Sequence, residues 1–183
     1  EIQAFAMSLY YMIHSLDSSR LVISNDGWEH CKTDLLTIHN YNHGGKDEKE
    51  KYLRFVRDLS SREEITKFEM INRFIVNPGF KDEGQPIILS EFGGVAFKKD
   101  TGGKAWGYTT SSSEEEYEAD LRRIYAAIQK SSCIQGICYT QLTDVEQEVN
   151  GLMTFDRKFK IDPSLIKEMN DSLEVDGYKK ESR

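Results

Sequence analysis

The sequence offers one acid in a setting suited to chemistry, Glu91, within Pro86-Ile87-Ile88-Leu89-Ser90-Glu91-Phe92-Gly93-Gly94. The branched apolar residues follow a proline that can open a strand but not sit inside one, and they predict a strand buried on both faces. Gly93 and Gly94 allow the backbone to turn at once. Glu91 is thereby left at the strand's C-terminal end, where parallel α/β folds place their chemistry. A strand-end glutamate taken alone reads better as solvated or paired with a surface cation. A second group alters that balance: His39 and Tyr41 follow the apolar run Leu35-Leu36-Thr37-Ile38. They stand two residues apart, so on a strand both side chains point the same way. Taken singly, His39 is a satisfied core histidine and Tyr41 an aromatic packed at a strand end.

The elements that must carry these groups alternate along the chain. Ile2, Phe5, Ala6, Leu9, Ile13 and Leu16 recur at helical spacing and predict an amphipathic helix that ends at Asp17-Ser18-Ser19. Leu21-Val22-Ile23-Ser24 is expected to be a short buried strand leading into Asn25-Asp26-Gly27-Trp28. Residues 47–76 read as helix in two pieces, with Tyr52, Phe55, Val56 and Leu59 the apolar positions of the first and Ile65, Phe68, Ile71, Phe74 and Ile75 those of the second, stopped by Asn77-Pro78-Gly79. A polar loop follows the Glu91 strand, and Ser113 with Glu116 forms a capping box for the next helix. Residues 134–141 form a fourth strand, and 143–160 a long ordered loop ending in a hairpin. Asp162 caps a last helix opened by Pro163. This order predicts an α/β fold with a parallel sheet. The turn after the first strand is not a glycine-rich phosphate loop, which disfavours a doubly wound sheet. A partial (β/α)8 TIM barrel, strands 5 to 8 with their helices, fits the four strands better. One domain is expected over residues 1–173, with 174–183 a charged, frayed tail.

Composition narrows the partners. The 183 residues carry a net charge of −7 with only 24 Lys+Arg, so no basic surface for nucleic acid is expected. No apolar run approaches the roughly 18 residues a membrane span requires, and Glu1-Ile2-Gln3 has no signal-type features. Cys31, Cys133 and Cys138 are odd in number and lack metal-ligand spacing, which favours free thiols in a reducing, cytoplasmic setting. Asp144, Glu146 and Glu148 lack a calcium-loop glycine and read as a solvated loop. Neither a metal nor a cofactor is expected.

Four ordered stretches carry a resemblance. They are Ile23-Ser24-Asn25-Asp26-Gly27-Trp28-Glu29-His30, Thr37-Ile38-His39-Asn40-Tyr41, Leu89-Ser90-Glu91-Phe92-Gly93-Gly94 and the run from Tyr139 through Gln141 to Leu152. Together they resemble the C-terminal half of the catalytic barrel of glycoside hydrolase family 2, which includes β-galactosidases, β-glucuronidases and β-mannosidases. The resemblance spans roughly residues 1 to 170. It implies a retaining β-glycosidase in which Glu91 is the nucleophile and Tyr41 hydrogen-bonds it, acting on a carbohydrate substrate.

In that family the acid/base glutamate follows an asparagine at the fourth strand's end, and this sequence has no Asn-Glu pair. The acid/base is therefore expected upstream, on the N-terminal remainder of the same polypeptide, and the isolated chain should be inactive and self-associate through its unpaired edges. His39, Asn25, Asp26, Trp28, Trp106 and Gln141 are the candidate sugar contacts. Asn25 and Asp26 equally suit a simple turn, and either tryptophan a packed indole. The family often has a tryptophan where this chain has Tyr139-Thr140-Gln141, so Gln141 is a candidate for that polar contact. No asparagine is followed two residues later by lysine, the motif that reads a glucuronide carboxylate, so β-galactoside-like substrates are favoured. The alternative is a non-catalytic carbohydrate-binding or scaffold module.

Overall fold

The computed structural model describes residues 1–67, 69–70, 73–97 and 106–173. In chain order the elements are α1 (Ile2–Leu16), β1 (Leu36–Asn40), α2 (Lys49–Asp58), α3 (Arg62–Lys67), β2 (Glu69–Met70) and β3 (Arg73–Phe74). There follow β4 (Ile87–Gly93), β5 (Val95–Ala96), β6 (Thr109–Thr110), α4 (Glu114–Gln129), β7 (Ile134–Thr140) and α5 (Pro163–Asp171). The expected tail, 174–183, lies outside the described residues.

The central sheet is parallel, in the order β1-β4-β7, with β4 between the other two. Ile87, Leu89 and Phe92 of β4 are fully buried and share one core with Leu36, Ile38, Phe55, Leu59, Leu121 and Ile124. Ile88 and Ser90, on the strand's other face, are only half-buried, so β4 is not packed on both sides as its apolar run suggests. Capping chemistry behaves as the sequence dictates. Ser113 accepts from the Glu116 amide at the start of α4, and Asp162 accepts from the Ser164 amide ahead of Pro163.

Two further expectations are corrected. The Leu21-Val22-Ile23-Ser24 segment forms no strand, leaving a three-stranded sheet where four strands were expected. It is tied instead to Asp34, whose amide donates to the Val22 carbonyl at 2.9 Å and whose carboxylate accepts from the Val22 amide at 2.7 Å. Local apolar content is satisfied without a ladder, and Leu21 and Ile23 stay exposed. The second helical piece stops at Lys67, and β2 pairs antiparallel with β3. From the end of β3, the carbonyls of Phe74 and Ile75 accept from the amides of Glu29 and His30. Ile65 and Ile75 are both buried, so the burial expected of them is met by two different structures. Phe68 and Ile71 of the expected pattern fall outside the described residues.

Helix α1 forms where its periodicity predicts and ends at Asp17. Its apolar stripe faces outward, with Ile2, Phe5, Leu9, Ile13 and Leu16 exposed. Periodicity fixes which side of a helix is apolar, not what lies against it. The helix docks through polar contacts on Asp34: Tyr10 Oη donates to its Oδ1 at 2.6 Å, and His14 Nε2 lies 2.8 Å from Oδ2. Burial opposes ionisation of Asp34, but the bonds from Tyr10, the Val22 amide and His14 outweigh it and hold the carboxyl below its ordinary range. The same bond first, and then burial, push the Tyr10 phenol up to about 12. A depressed carboxyl stabilises the fold fully above the unfolded value near pH 4 and loses that contribution as pH falls through the folded value. Acid should therefore loosen α1, and Asp34→Ala should remove about 1–3 kcal/mol at neutral pH. An acid titration followed by far-ultraviolet circular dichroism checks this, because the variant should lack the α1 transition.

Candidate active site

Glu91 sits where the sheet is least regular. Opposite β1 the register runs Ile38↔Leu89 and then His39↔Glu91, and opposite β7 it runs Leu89↔Ile137 and then Phe92↔Tyr139. Strand β4 thus carries one extra residue at Ser90-Glu91 relative to both neighbours. Such a bulge re-aims a side chain, and bulges are common beside functional sites. Gly93 and Gly94 then turn the chain at φ 95° and 66°. A Cβ on Gly93 would lie 2.2 Å from the Tyr139 ring, so both the angle and the space demand glycine.

The Glu91 carboxylate receives two groups from the neighbouring strand on a single oxygen. Tyr41 Oη donates to Oε2 at 2.8 Å, and His39 Nδ1 lies 3.2 Å from the same atom. Burial, reinforced by Glu91, pushes the Tyr41 phenol well above its ordinary range, so it stays a neutral donor. The far side of the imidazole is also held, with His39 Nε2 3.1 Å from Asp26 Oδ2. Asp26 Oδ1 accepts from Ser90 Oγ at 2.7 Å, which returns the chain of contacts to the residue before Glu91. Burial works against ionising Asp26, yet the bonds from Ser90, Thr37 and His39 prevail and its carboxyl is held low. One ligand atom each from Asp26, His39 and Glu91 falls within 4.8 Å of the others, a set able to hold a cation. Both imidazole nitrogens face these carboxylates, at 3.1 Å and 3.2 Å.

The remaining candidates divide. Trp28 is half-buried, edge-on to His39 with 4.9 Å between centroids, while the Arg73 guanidinium lies 5.5 Å over its ring. It acts as a wall behind the imidazole. Asn25 donates to the Trp28 carbonyl at 2.6 Å and serves its own turn. Trp106 remains 47% exposed, 5.0 Å from Tyr108, whose ring stacks on Tyr41 at 3.8 Å and 5°. Gln141 is half-buried, its Nε2 enclosed without a partner among the described residues.

Sequence reasoning missed Ser90, Tyr108 and His43. Tyr108 could have been found, since it follows Trp106-Gly107 directly. His43, fully buried, sets its Nε2 2.6 Å from the Gly93 carbonyl and so fastens the loop after β1 to the glycine bend. Asp144 departs from the expected solvated loop. It is buried, and its Oδ1 accepts from Lys160 Nζ at 2.7 Å and from the Gly151 amide at 2.8 Å.

An acid delivered at the C-terminal end of a parallel strand, with donors from the next strand's end, lies where parallel α/β folds place their chemistry. No protein-family profile matches the chain, and no curated protein matches its sequence. Among solved structures, the fold resembles part of a β-D-glucuronidase from Dictyoglomus thermophilum (TM-score 0.61, 17% identity), covering 94% of this chain and 29% of that one. A family 2 β-galacturonidase from Eisenbergiella tayi, bound to glycerol, is similar at TM-score 0.61 and 15% identity, covering 99% of this chain and 32% of that one. A β-glucuronidase from Faecalibacterium prausnitzii is similar at 0.59 and 17%, with 94% and 29% covered. At such identities the likeness establishes a shared fold, and the chain spans about 30% of the length of these structures.

Proposed function

We propose that the chain is the C-terminal half of a family 2 glycosidase barrel, whose Glu91 is the nucleophile of a retaining β-glycosidase. The observation that carries this reading is the Glu91 oxygen held by Tyr41 at 2.8 Å and His39 at 3.2 Å. Two groups aimed at one of its oxygens fix the carboxylate's orientation for attack. In the first step a Glu91 oxygen bonds the anomeric carbon as the glycosidic C–O bond breaks. The leaving oxygen takes a proton from a second carboxylic acid. In the second step that acid, now a base, removes a proton from water, which displaces Glu91 with net retention.

The other carboxylate that the cluster holds among the described residues, Asp26, is engaged by Ser90 and His39, and the sequence has no Asn-Glu pair. The remainder of the polypeptide supplies the second acid, and also covers the outer edges of β1 and β7, which have no strand partner among the described residues. The solved neighbours include proteins named for acting on uronides, but this chain has no Asn-x-Lys motif, which favours a neutral, β-galactoside-like substrate. A survey of nitrophenyl β-glycosides on the polypeptide that carries this chain tests the reading. The galactoside should be cleaved in preference to the glucuronide, with the β-anomer appearing first by NMR. An inverted product would overturn the double displacement, and binding without turnover would favour a non-catalytic sugar-binding module.

A further inference from the structure

Three aromatic rings lead away from Glu91 with rising exposure. Tyr41, bonded to the carboxylate, is 5% exposed, and Tyr108 and Trp106 beyond it are each 47% exposed. The Tyr41–Tyr108 stack at 3.8 Å and 5° is made possible by Gly94, where a Cβ would meet the Tyr108 ring at 2.4 Å. Gly107 likewise passes close to Ala96, where a Cβ would come within 2.6 Å, and the Tyr108 amide donates to the Gly94 carbonyl at 2.8 Å. Trp106 is fixed on both sides of its peptide: its amide donates to Gln147 O at 2.9 Å, and its carbonyl accepts from the Val149 amide at 3.0 Å. Backbone bonds and two glycines thus hold open aromatic faces in register with the candidate nucleophile.

We propose that Tyr108 and Trp106 form a ledge for the group next to the reacting sugar, taking a neutral ring with an apolar face, either an aryl group or a second pyranose. This rests on the glycosidase reading. The series Tyr41, Tyr108 and Trp106 leads from the carboxylate toward solvent, and on that ground the ledge is assigned to the neighbouring group and not to the reacting sugar. Stacking on an exposed aromatic face is how flat and pyranose rings are held. Burial first, then the negative charges of Glu91 and Glu148, push the Tyr108 phenol upward, and those charges would also repel an anionic ring.

The test is isothermal titration of the Glu91→Gln form of the polypeptide carrying this chain, with methyl β-galactoside, phenyl β-galactoside and a β-linked disaccharide. The phenyl compound, the disaccharide or both should bind about tenfold more tightly than the methyl compound. Trp106→Ala and Tyr108→Ala should each erase that preference, while Trp106→Phe, which keeps a ring, should retain most of it. Equal affinities for all three ligands, or a preference that survives both alanine variants, would overturn the ledge. The glycosidase reading fails separately, by Glu91→Gln hydrolysing glycosides as fast as the unaltered protein.

Discussion

Replacing Glu91 with glutamine is expected to lower glycoside turnover at least ~10,000-fold in the polypeptide that carries this chain, with little change in stability. The amide matches the carboxylate in shape and can still accept from Tyr41, but it carries no negative charge with which to attack the anomeric carbon. Its side chain is 38% exposed, and substitutions at such positions usually change stability by no more than about 0.5 kcal/mol. Initial rates with a nitrophenyl galactoside, together with a thermal melt, separate the two effects. Turnover that persists near the unaltered level would remove Glu91 from the mechanism.

The second large effect is on folding. Lys160 is 1% exposed, and its ammonium donates to Asp144 Oδ1 at 2.7 Å and to the Val149 carbonyl at 2.8 Å. Burial pulls its pKa down, and Asp144 opposes that shift. Lys160→Met should cost roughly 3–5 kcal/mol, because it leaves the Asp144 carboxylate enclosed without its cation. Adding Asp144→Asn should recover part of that loss, since the uncompensated charge is then gone. Urea midpoints of the two variants check this, and a Lys160→Met midpoint equal to that of the unaltered chain would show that the pair does not hold the loop. The pair clasps residues 144–160, and Trp106 is hydrogen-bonded to the same loop through Gln147 and Val149. Loss of the clasp should therefore disturb the aromatic faces as well.

What the sequence made legible followed from short-range rules. The i, i+2 spacing of His39 and Tyr41 predicted that both would face one side, and they reach the same oxygen of Glu91. Proline before β4, glycine after Glu91, and the caps at Ser113 and Asp162 also act locally, and the structure has them where composition implied. What escaped depends on contacts between distant segments. Nothing in Arg157-Lys158-Phe159-Lys160 distinguishes the one buried lysine from a solvated run. The α1 stripe was visible, but not the Asp34 carboxylate that docks the opposite side of the helix. Leu21-Val22-Ile23-Ser24 looked like a strand by its residues, yet strand formation needs a partner as well as an apolar run. The Asp26–Ser90 bond joins residues 64 apart in sequence and has no signature at all.

The extra residue of β4 bears on how such a chain tolerates change. Deleting it would restore even pairing with β1 and remove one of the two register shifts against β7, while swinging the acid away from its phenol and imidazole. Selection for folding alone would favour that tidier ladder. On the glycosidase reading, the bulge is kept because the aim of the acid depends on it, a requirement that stability does not impose.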